Sequence, residues 1–232
     1  MKHIVILTGA GMSAESGIST FRDSGGLWDQ YRVEDVATPE GWDRDRQLVT
    51  SFYNERRRQL LTVEPCDGHR LVAELERDYD VDIITQNVDD LHERAGSTRV
   101  LHLHGELAKV TSSLAPNDPS QIRTLRPEEY EVKIGDKAED GSQLRPYIVW
   151  FGEAVPNIEP AVRLVEQADI FLIIGTSLNV YPAAGLIHYV RADVPIYLID
   201  PAAVAVPGGI RVTHIRQGAS QGMREWLKMQ EK

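Results

Sequence analysis

Three short constellations in this chain combine residue types that can do chemistry. Thr8-Gly9-Ala10-Gly11-Met12-Ser13-Ala14 has the G-x-G-x-x-A spacing of a dinucleotide turn. Glycines so placed let a strand turn tightly into a helix and let backbone N–H groups approach a pyrophosphate. Gln86-Asn87-Val88-Asp89 sets two carboxamides beside a carboxylate, although an Asx turn capping a helix uses the same residue types. His102 and His104 are two apart, so on a strand they share a face. Imidazole titrates near neutrality and suits a general base, while a strand histidine without partners more often belongs to the core. A zinc site built on the two lacks further ligands nearby in the sequence. A fourth group, Tyr53 and Arg56, lies in Phe52-Tyr53-Asn54-Glu55-Arg56-Arg57-Arg58. Three apart on a helix they are neighbours, although a run of arginines is ordinarily a solvated face.

These groups need elements to position them. Six runs rich in Ile, Val and Leu read as buried strands: Ile4–Leu7, Val81–Thr85, Val100–His104, Tyr147–Phe151, Ile170–Ile174 and Ile196–Asp200. Near-continuous apolar runs indicate strands covered on both faces, as in parallel sheets. Helical patterns fall between them at His69–Asp78, Asp89–Ala95, Pro160–Ala168, Ala183–Arg191 and Ser220–Lys228. The alternation predicts an α/β fold with a doubly wound, parallel, Rossmann-like sheet. In such a sheet the phosphate turn, Gln86–Asp89 and His104-Gly105 all fall at the carboxyl edge, where ligands bind.

Two stretches break the alternation. Residues 29–68 read as helical and charged, and 107–146 show little periodicity, many breakers and only weak strands at Lys109–Ser112 and Glu131–Ile134. They are expected to form a small second lobe from two insertions, on a sheet domain of 1–28, 69–106 and 147–232, with the ligand cleft between. The polar stretch after the phosphate turn, Glu15 to Trp28, has no second strand where a dehydrogenase would have one, which disfavours hydride transfer. It reads as a lid, with Phe21 excluding water and Arg22 pairing with phosphate or ordering the loop. Phe21 and Trp28 as core residues, with Arg22 solvated, is the other reading.

A net charge of −10 disfavours a nucleic-acid backbone as partner. No apolar run approaches a membrane span or a signal segment, so a cytoplasmic protein is expected. The one cysteine, Cys66, excludes an intrachain disulfide and any multi-cysteine metal site.

Residues 9–22, G-A-G-M-S-A-E-S-G-I-S-T-F-R, resemble the sirtuins, NAD-dependent protein deacylases. Thr85–Asp89, His102-Leu103-His104-Gly105, Val149-Trp150-Phe151-Gly152-Glu153 and Gly175-Thr176-Ser177 resemble later sirtuin motifs in the same order. The resemblance implies NAD+ as co-substrate, acyl-lysine proteins or peptides as substrates, and release of nicotinamide and an O-acyl-ADP-ribose. It implies that Gly9, Ala10, Gly11, Ser13 and Glu15, with Thr20, Phe21, Arg22 and Trp28, line the cofactor. Gln86 and Asn87 would contact the nicotinamide ribose and position water, and Val88 and Asp89 would hold the carboxamide. His104, directly before the glycine, would be the general base, with Asn87 also catalytic and His102 structural. Gly175, Thr176, Ser177 and Asn179 would serve phosphate and ribose, and Ala219 the adenine side. Asp200 stands where the family usually has Asn, and a carboxylate there can accept from ribose hydroxyls. Val149, Phe151, Gly152 and Glu153 would pair with the substrate backbone as an added strand.

Tyr53-x-x-Arg56, with Ala37 upstream, resembles the class III sirtuins, where the pair binds the carboxylate of succinyl- or malonyl-lysine and a small residue widens the acyl pocket. A desuccinylase and demalonylase with some deacetylase activity is therefore expected, acting as a monomer. The family's zinc-holding cysteine pairs have no counterpart in 107–146. That segment is expected to fold without zinc, through packing of Val110, Leu114, Ile122, Leu125, Tyr130, Val132 and Ile134. Two other functions share the scaffold: an ADP-ribosyltransferase or NAD hydrolase, and a non-catalytic NAD-binding sensor.

Overall fold

A computed structural model describes residues 1–18 and 31–230. Six parallel strands make the main sheet: β1 (His3–Thr8), β2 (Asp80–Thr85), β3 (Val100–His102), β7 (Ile170–Ile174), β8 (Ile196–Ile199) and β9 (Thr213–Ile215). Their spatial order is β3-β2-β1-β7-β8-β9, the doubly wound Rossmann order. The order reverses between β1 and β7, so their carboxyl ends open a crevice there.

Alternation along the apolar runs fills both faces. Val5, Leu7, Phe171, Ile173 and Leu198 pack on one side with Ala161 and Val165 of α7 (Ile158–Glu166). Ile4, Ile6, Leu172, Ile174 and Ile199 pack on the other with Val72 of α5 (Asp67–Glu74) and with Met223 and Trp226 of α8 (Ala219–Gln230). Each such buried side chain contributes about 1.5–3 kcal/mol relative to exposure.

The first insertion is helical, as its pattern predicts: α2 (Val33–Val36), α3 (Pro39–Arg44) and α4 (Arg46–Leu60). Thr38 Oγ1 accepts the Gly41 N–H at 3.0 Å with Pro39 in the first turn, and Asp45 Oδ1 accepts the Leu48 N–H at 2.9 Å. Side-chain caps thus define both helix starts.

The second insertion differs from its predicted form. β4 (Gly105–Ser112) pairs antiparallel with β5 (Arg123–Thr124) and β6 (Leu144–Ile148) in a separate three-stranded sheet. The run Tyr147–Phe151 is therefore not a main-sheet strand. Its Ile148 and Trp150 side chains are buried against the helical insertion, where they join Trp42, Phe52 and Tyr53. The sixth main strand is β9, whose three residues include the polar Thr213 and His214 and carry little apolar signal. Glu131–Ile134 forms no strand, and Ala183–Tyr189 is a 3-10 helix.

The expected core of 107–146 is also smaller. Val110, Val132 and Leu144 are buried with Leu125 and Ala138 against them, whereas Leu114 is 80% and Ile134 48% exposed. Polar bonding supplies the rest. Ser112 Oγ accepts the Leu114 and Ala115 N–H groups and donates to Asp140, and the Gln143 side chain bonds Gly135 N and Lys133 O. Asn54 of α4 clasps Val132, with Nδ2 to its carbonyl at 2.8 Å and Oδ1 to its N–H at 3.0 Å. Buried Arg57, one turn on, donates to Leu107 O at 2.8 Å and to Asn54 Oδ1.

Substituting Asn54→Ala strands both polar groups of Val132, at about 1–3 kcal/mol for each buried group. Amide exchange and limited proteolysis should accelerate in 107–146 while main-sheet amides stay protected. Uniform loss of protection across both sheets would contradict this clasp.

Candidate active site

The crevice begins where β1 and β7 end. Gly175 has φ +64°, and a Cβ there would lie 2.3 Å from Met12 N; at Gly11 it would lie 2.7 Å from Gly175 Cα. Backbone therefore meets backbone across the switch point, with Gly9 N–H bonded to Ile174 O and Gly11 N–H to Gly175 O. Ala10 opens the short α1 (Ala10–Ser13) at this edge. The next strand end joins through Gln86, whose N–H donates to Thr8 O at 2.9 Å and whose Nε2 donates to Thr176 Oγ1 at 3.0 Å. Ser177 is half-buried beside Thr176, and Leu178 holds φ +55°, a strained value for a branched residue.

Asn87 is bound into the turn. Its Nδ2 donates to Gly9 O and to Ser13 Oγ, each at 3.0 Å, and the Ser13 hydroxyl donates to Asp89 Oδ2 at 2.9 Å. Asp89 Oδ1 accepts the Leu91 N–H at the start of α6 (Leu91–Arg94). The Asx turn expected of this segment is therefore formed by Asp89. Burial pushes the Asp89 carboxyl pKa up, against the hydrogen bonds of Ser13 and Leu91. Val88 is half-buried, and its carbonyl accepts the Leu107 N–H at 2.7 Å. Carboxamides, small hydroxyls and glycine backbone at one crevice suit ribose, phosphate and a carboxamide, so the donor set fits a nicotinamide dinucleotide.

The two histidines diverge. His104 Nδ1 lies 3.0 Å from Gln86 O. Only an N–H can satisfy that carbonyl, so neutral His104 keeps its lone pair on Nε2. Burial lowers its pKa, against the opposing Gln86 bond, so the base form dominates at neutral pH. His102 donates from Nδ1 to Asn87 O and sits 2.8 Å from Glu93 Oε1 through Nε2. Burial disfavours its charge, but the hydrogen bond and charge of Glu93 outweigh that and raise its pKa. His104 is thus poised as a base, while His102 fastens the Asn87 turn. Gly105 follows His104 with φ +82°, and a Cβ there would lie 2.2 Å from Tyr147 O. Only glycine lets β4 start against β6 at this point.

Tyr53 and Arg56 lie on one side of α4 but occupy different settings. Tyr53 is buried, and its Oη accepts the Trp150 indole N–H at 3.0 Å. Burial raises the phenol pKa against the charge of Arg56, so the hydroxyl stays protonated. Arg56 lines a cavity of about 20 Å³ with Ile18, Gln59, Val88, Asp89 and Leu107, room for one water. Burial lowers its pKa, offset by Tyr53 and Asp89. Ala37 is buried nearby, and its carbonyl accepts the Phe151 N–H at 3.0 Å.

Residues 149–153 depart from a free strand edge. The N–H groups of Val149, Trp150, Phe151 and Glu153 donate to His104 O, Glu153 Oε2, Ala37 O and Trp150 O respectively. The Glu153 carboxylate is held by Arg145, whose guanidinium also stacks 3.5 Å from the Trp150 ring centre. Gly152, at φ +93°, is exposed with Phe151.

Other expected residues are placed as follows. Glu15 is taken up by α8: its carboxylate accepts the Ser220 N–H at 3.1 Å and the Ser220 hydroxyl. Ala219 is buried, and a Cβ on Gly68 would lie 3.0 Å from its methyl group. Asp200 Oδ1 accepts the Ala202 N–H, and Asn179 is exposed. Thr20, Phe21, Arg22 and Trp28 lie outside the described residues. Among the described residues no group of three His, Cys, Asp or Glu side chains could hold a metal ion, and no helix is long and apolar enough to cross a membrane. The sequence reading overlooked Trp150 as the anchor of Tyr53, and Thr8 with Thr85. The identical positions of those threonines at the ends of β1 and β2 were a usable signal.

The histidines make a testable set. Burial drives His69 down to about 4, with the Arg70 charge adding, and drives His92 well below 6.5. The unfolded chain takes up these protons near 6.5, the native chain only further down. Stability is therefore full above about pH 6.5 and falls toward pH 4, by about 1.4 kcal/mol per unit for each such histidine. The His102–Glu93 contribution runs oppositely, present below pH 6.5 and lost as pH rises through the raised His102 pKa. NMR titration should find His69, His92 and His104 midpoints below 6.5 and that of His102 above it. A raised His104 midpoint would contradict the base assignment.

Comparison with known proteins agrees with this architecture. Residues 9–182 match the Sir2 family model. A Bacteroides thetaiotaomicron NAD-dependent protein deacylase is 66% identical over 97% of this chain and 96% of its own. A Helicobacter pylori NAD-dependent protein deacylase is 53% identical over 98% of this chain and 96% of its own. The crystal structure of a Sir2 homologue–NAD complex superposes with TM-score 0.86 at 40% identity, over 98% of this chain and 89% of that one. With the glycine switch point, the Asn87 turn and the His104 tautomer in place, the chain belongs to the Sir2 family.

Proposed function

We propose that this Sir2-family chain is an NAD-dependent protein-lysine deacylase that prefers acidic acyl groups, acting as a desuccinylase and demalonylase with residual deacetylase activity. NAD supplies an electrophilic ribose carbon bearing a nicotinamide leaving group, one water is consumed, and the products are nicotinamide, an O-acyl-ADP-ribose and free lysine. Gly9, Gly11, Thr176 and Ser177 bind phosphate and ribose, and Gln86, Asn87 and Asp89 orient the nicotinamide end. His104 Nε2, unprotonated at neutral pH, takes the proton of a ribose hydroxyl.

One observation carries the acyl preference: Arg56 lines the small cavity with Val88 and Asp89, close enough for its charge to act on the Tyr53 phenol. Tyr53 Oη already accepts from Trp150, so its own proton is available to an incoming carboxylate. A guanidinium and a phenol together bind a terminal carboxylate, whereas an acetyl group has nothing for them to recognise.

Combining Tyr53→Phe with Arg56→Met should lower kcat/KM for succinyl- and malonyl-lysine peptides about 100-fold and for acetyl-lysine less than about tenfold. Mass spectrometry of NAD reactions with the three peptides reads this directly. Equal losses on all three would defeat the acyl assignment, and acyl-independent nicotinamide release or ADP-ribosylated protein would favour a transferase or hydrolase.

The same proposal includes folding without zinc. Four cysteines cannot be assembled from one, and hydrogen bonds from Asn54, Ser112 and Gln143 support the small sheet. Chelation should leave Tm and turnover unchanged; stoichiometric zinc whose removal unfolds the lobe would refute it.

A further inference from the structure

A buried polar chain runs beneath the Asn87 turn, and the chemistry above does not use it. The Thr8 hydroxyl donates to Thr85 Oγ1 at 2.8 Å, and Thr85 Oγ1 accepts the Asn87 backbone N–H at 3.0 Å. Thr8 Oγ1 also lies 3.2 Å from His92 Nε2. Thr8 has one proton and gives it to Thr85, so His92 must donate from Nε2. The other ring nitrogen, Nδ1, is buried with no hydrogen-bond partner among the described residues. A bare acceptor there costs less than an orphaned N–H, which assigns the same tautomer independently.

His92 is 2% exposed and meets the His69 ring edge to face at 4.8 Å between centroids. His69 is in turn held by Cys66, whose Sγ lies 3.2 Å from its Nδ1. Facing His92 are therefore Thr8 from β1 and His69 from α5, with the charge of His102 also felt at its ring; among the described residues no carboxylate is hydrogen-bonded to it. Thr8 is fully buried, so water cannot readily replace His92 as its donor.

We propose that His92, which reaches neither substrate nor cofactor, is a positioning residue: through Thr8 and Thr85 it fixes the Asn87 backbone amide, and with it the carboxamide that holds Gly9 and Ser13. The kinetic part of this inference rests on the deacylase reading; the structural part does not.

The test begins on the protein without NAD. Nitrogen-15 NMR should show neutral His92 protonated on Nε2. Amide exchange at Asn87 should rise at least about tenfold in His92→Phe and stay within about threefold of wild type in His92→Gln, whose amide N–H can still serve a hydroxyl. With NAD and acyl peptide, His92→Phe should lower kcat on the order of 10- to 100-fold with peptide KM unchanged, and His92→Gln should recover most of it. Thr8→Val should match that loss, and the double variant His92→Phe/Thr8→Val should be no worse than either single. Tm and circular dichroism establish the folded fraction of each variant. An Nδ1-protonated His92, unchanged Asn87 exchange, or losses that multiply in the double variant would overturn the proposal. Absence of turnover in the wild-type protein with every acyl peptide would sink the deacylase reading instead, leaving exchange and tautomer to judge His92.

Discussion

The close approach of two backbones at the switch point governs the rest of this structure. Gly9 and Gly11 leave β1 against Gly175 leaving β7, at distances that admit no side chain on either partner. That contact puts the phosphate turn beside Thr176, and Gln86 then bridges Thr8 to Thr176. Any Cβ at Gly175 would separate the strand ends by the width of a methyl group, and the carboxamides of the neighbouring strand would lose their acceptors. The glycines matter here first for packing, and through packing for chemistry.

Around that contact the protein replaces mobility with saturated hydrogen bonding. The Asn87 turn is held on its side chain by Gly9 and Ser13, on its carbonyl by His102 and on its N–H by Thr85. Such a group costs little reorganisation when charge develops near it. The histidines divide the work by environment. His104 keeps a lone pair on Nε2 because a carbonyl holds its other nitrogen, and His102 is pushed toward its charged form because Glu93 faces it.

In the small lobe an aromatic cluster and its hydrogen bonds hold one wall together. Trp150 stands at its centre, packed on Trp42 and Tyr53, stacked by Arg145 and bonded to the Tyr53 hydroxyl. The N–H groups of Val149, Trp150, Phe151 and Glu153 are all engaged within the protein, so this wall is internally bonded. Its apolar character also explains why Tyr147–Phe151 reads as a main-sheet strand. Hydrophobicity records burial, and it is silent on which surface does the burying. β9 fails in the opposite direction, since an edge strand with one buried residue leaves almost no apolar trace.

Residue types and short spacings were enough to reveal the phosphate turn, the Gln86–Asp89 carboxamide and carboxylate group, the His104-Gly105 step and the α/β alternation, because each depends on neighbours in the chain. Partner choice across long separations belonged to the fold alone. Glu15 binds Ser220 from 205 positions away, and Tyr53 finds Trp150 at a separation of 97. Val132 is clasped by Asn54 at a separation of 78. A carboxylate or phenol in a sequence has many equally plausible partners, and only the packing of distant elements brings one within 3 Å. The tautomer of His104 and the buried link from His92 to Asn87 arise in the same way: the proton's position follows from the partner, and the partner from the tertiary contact.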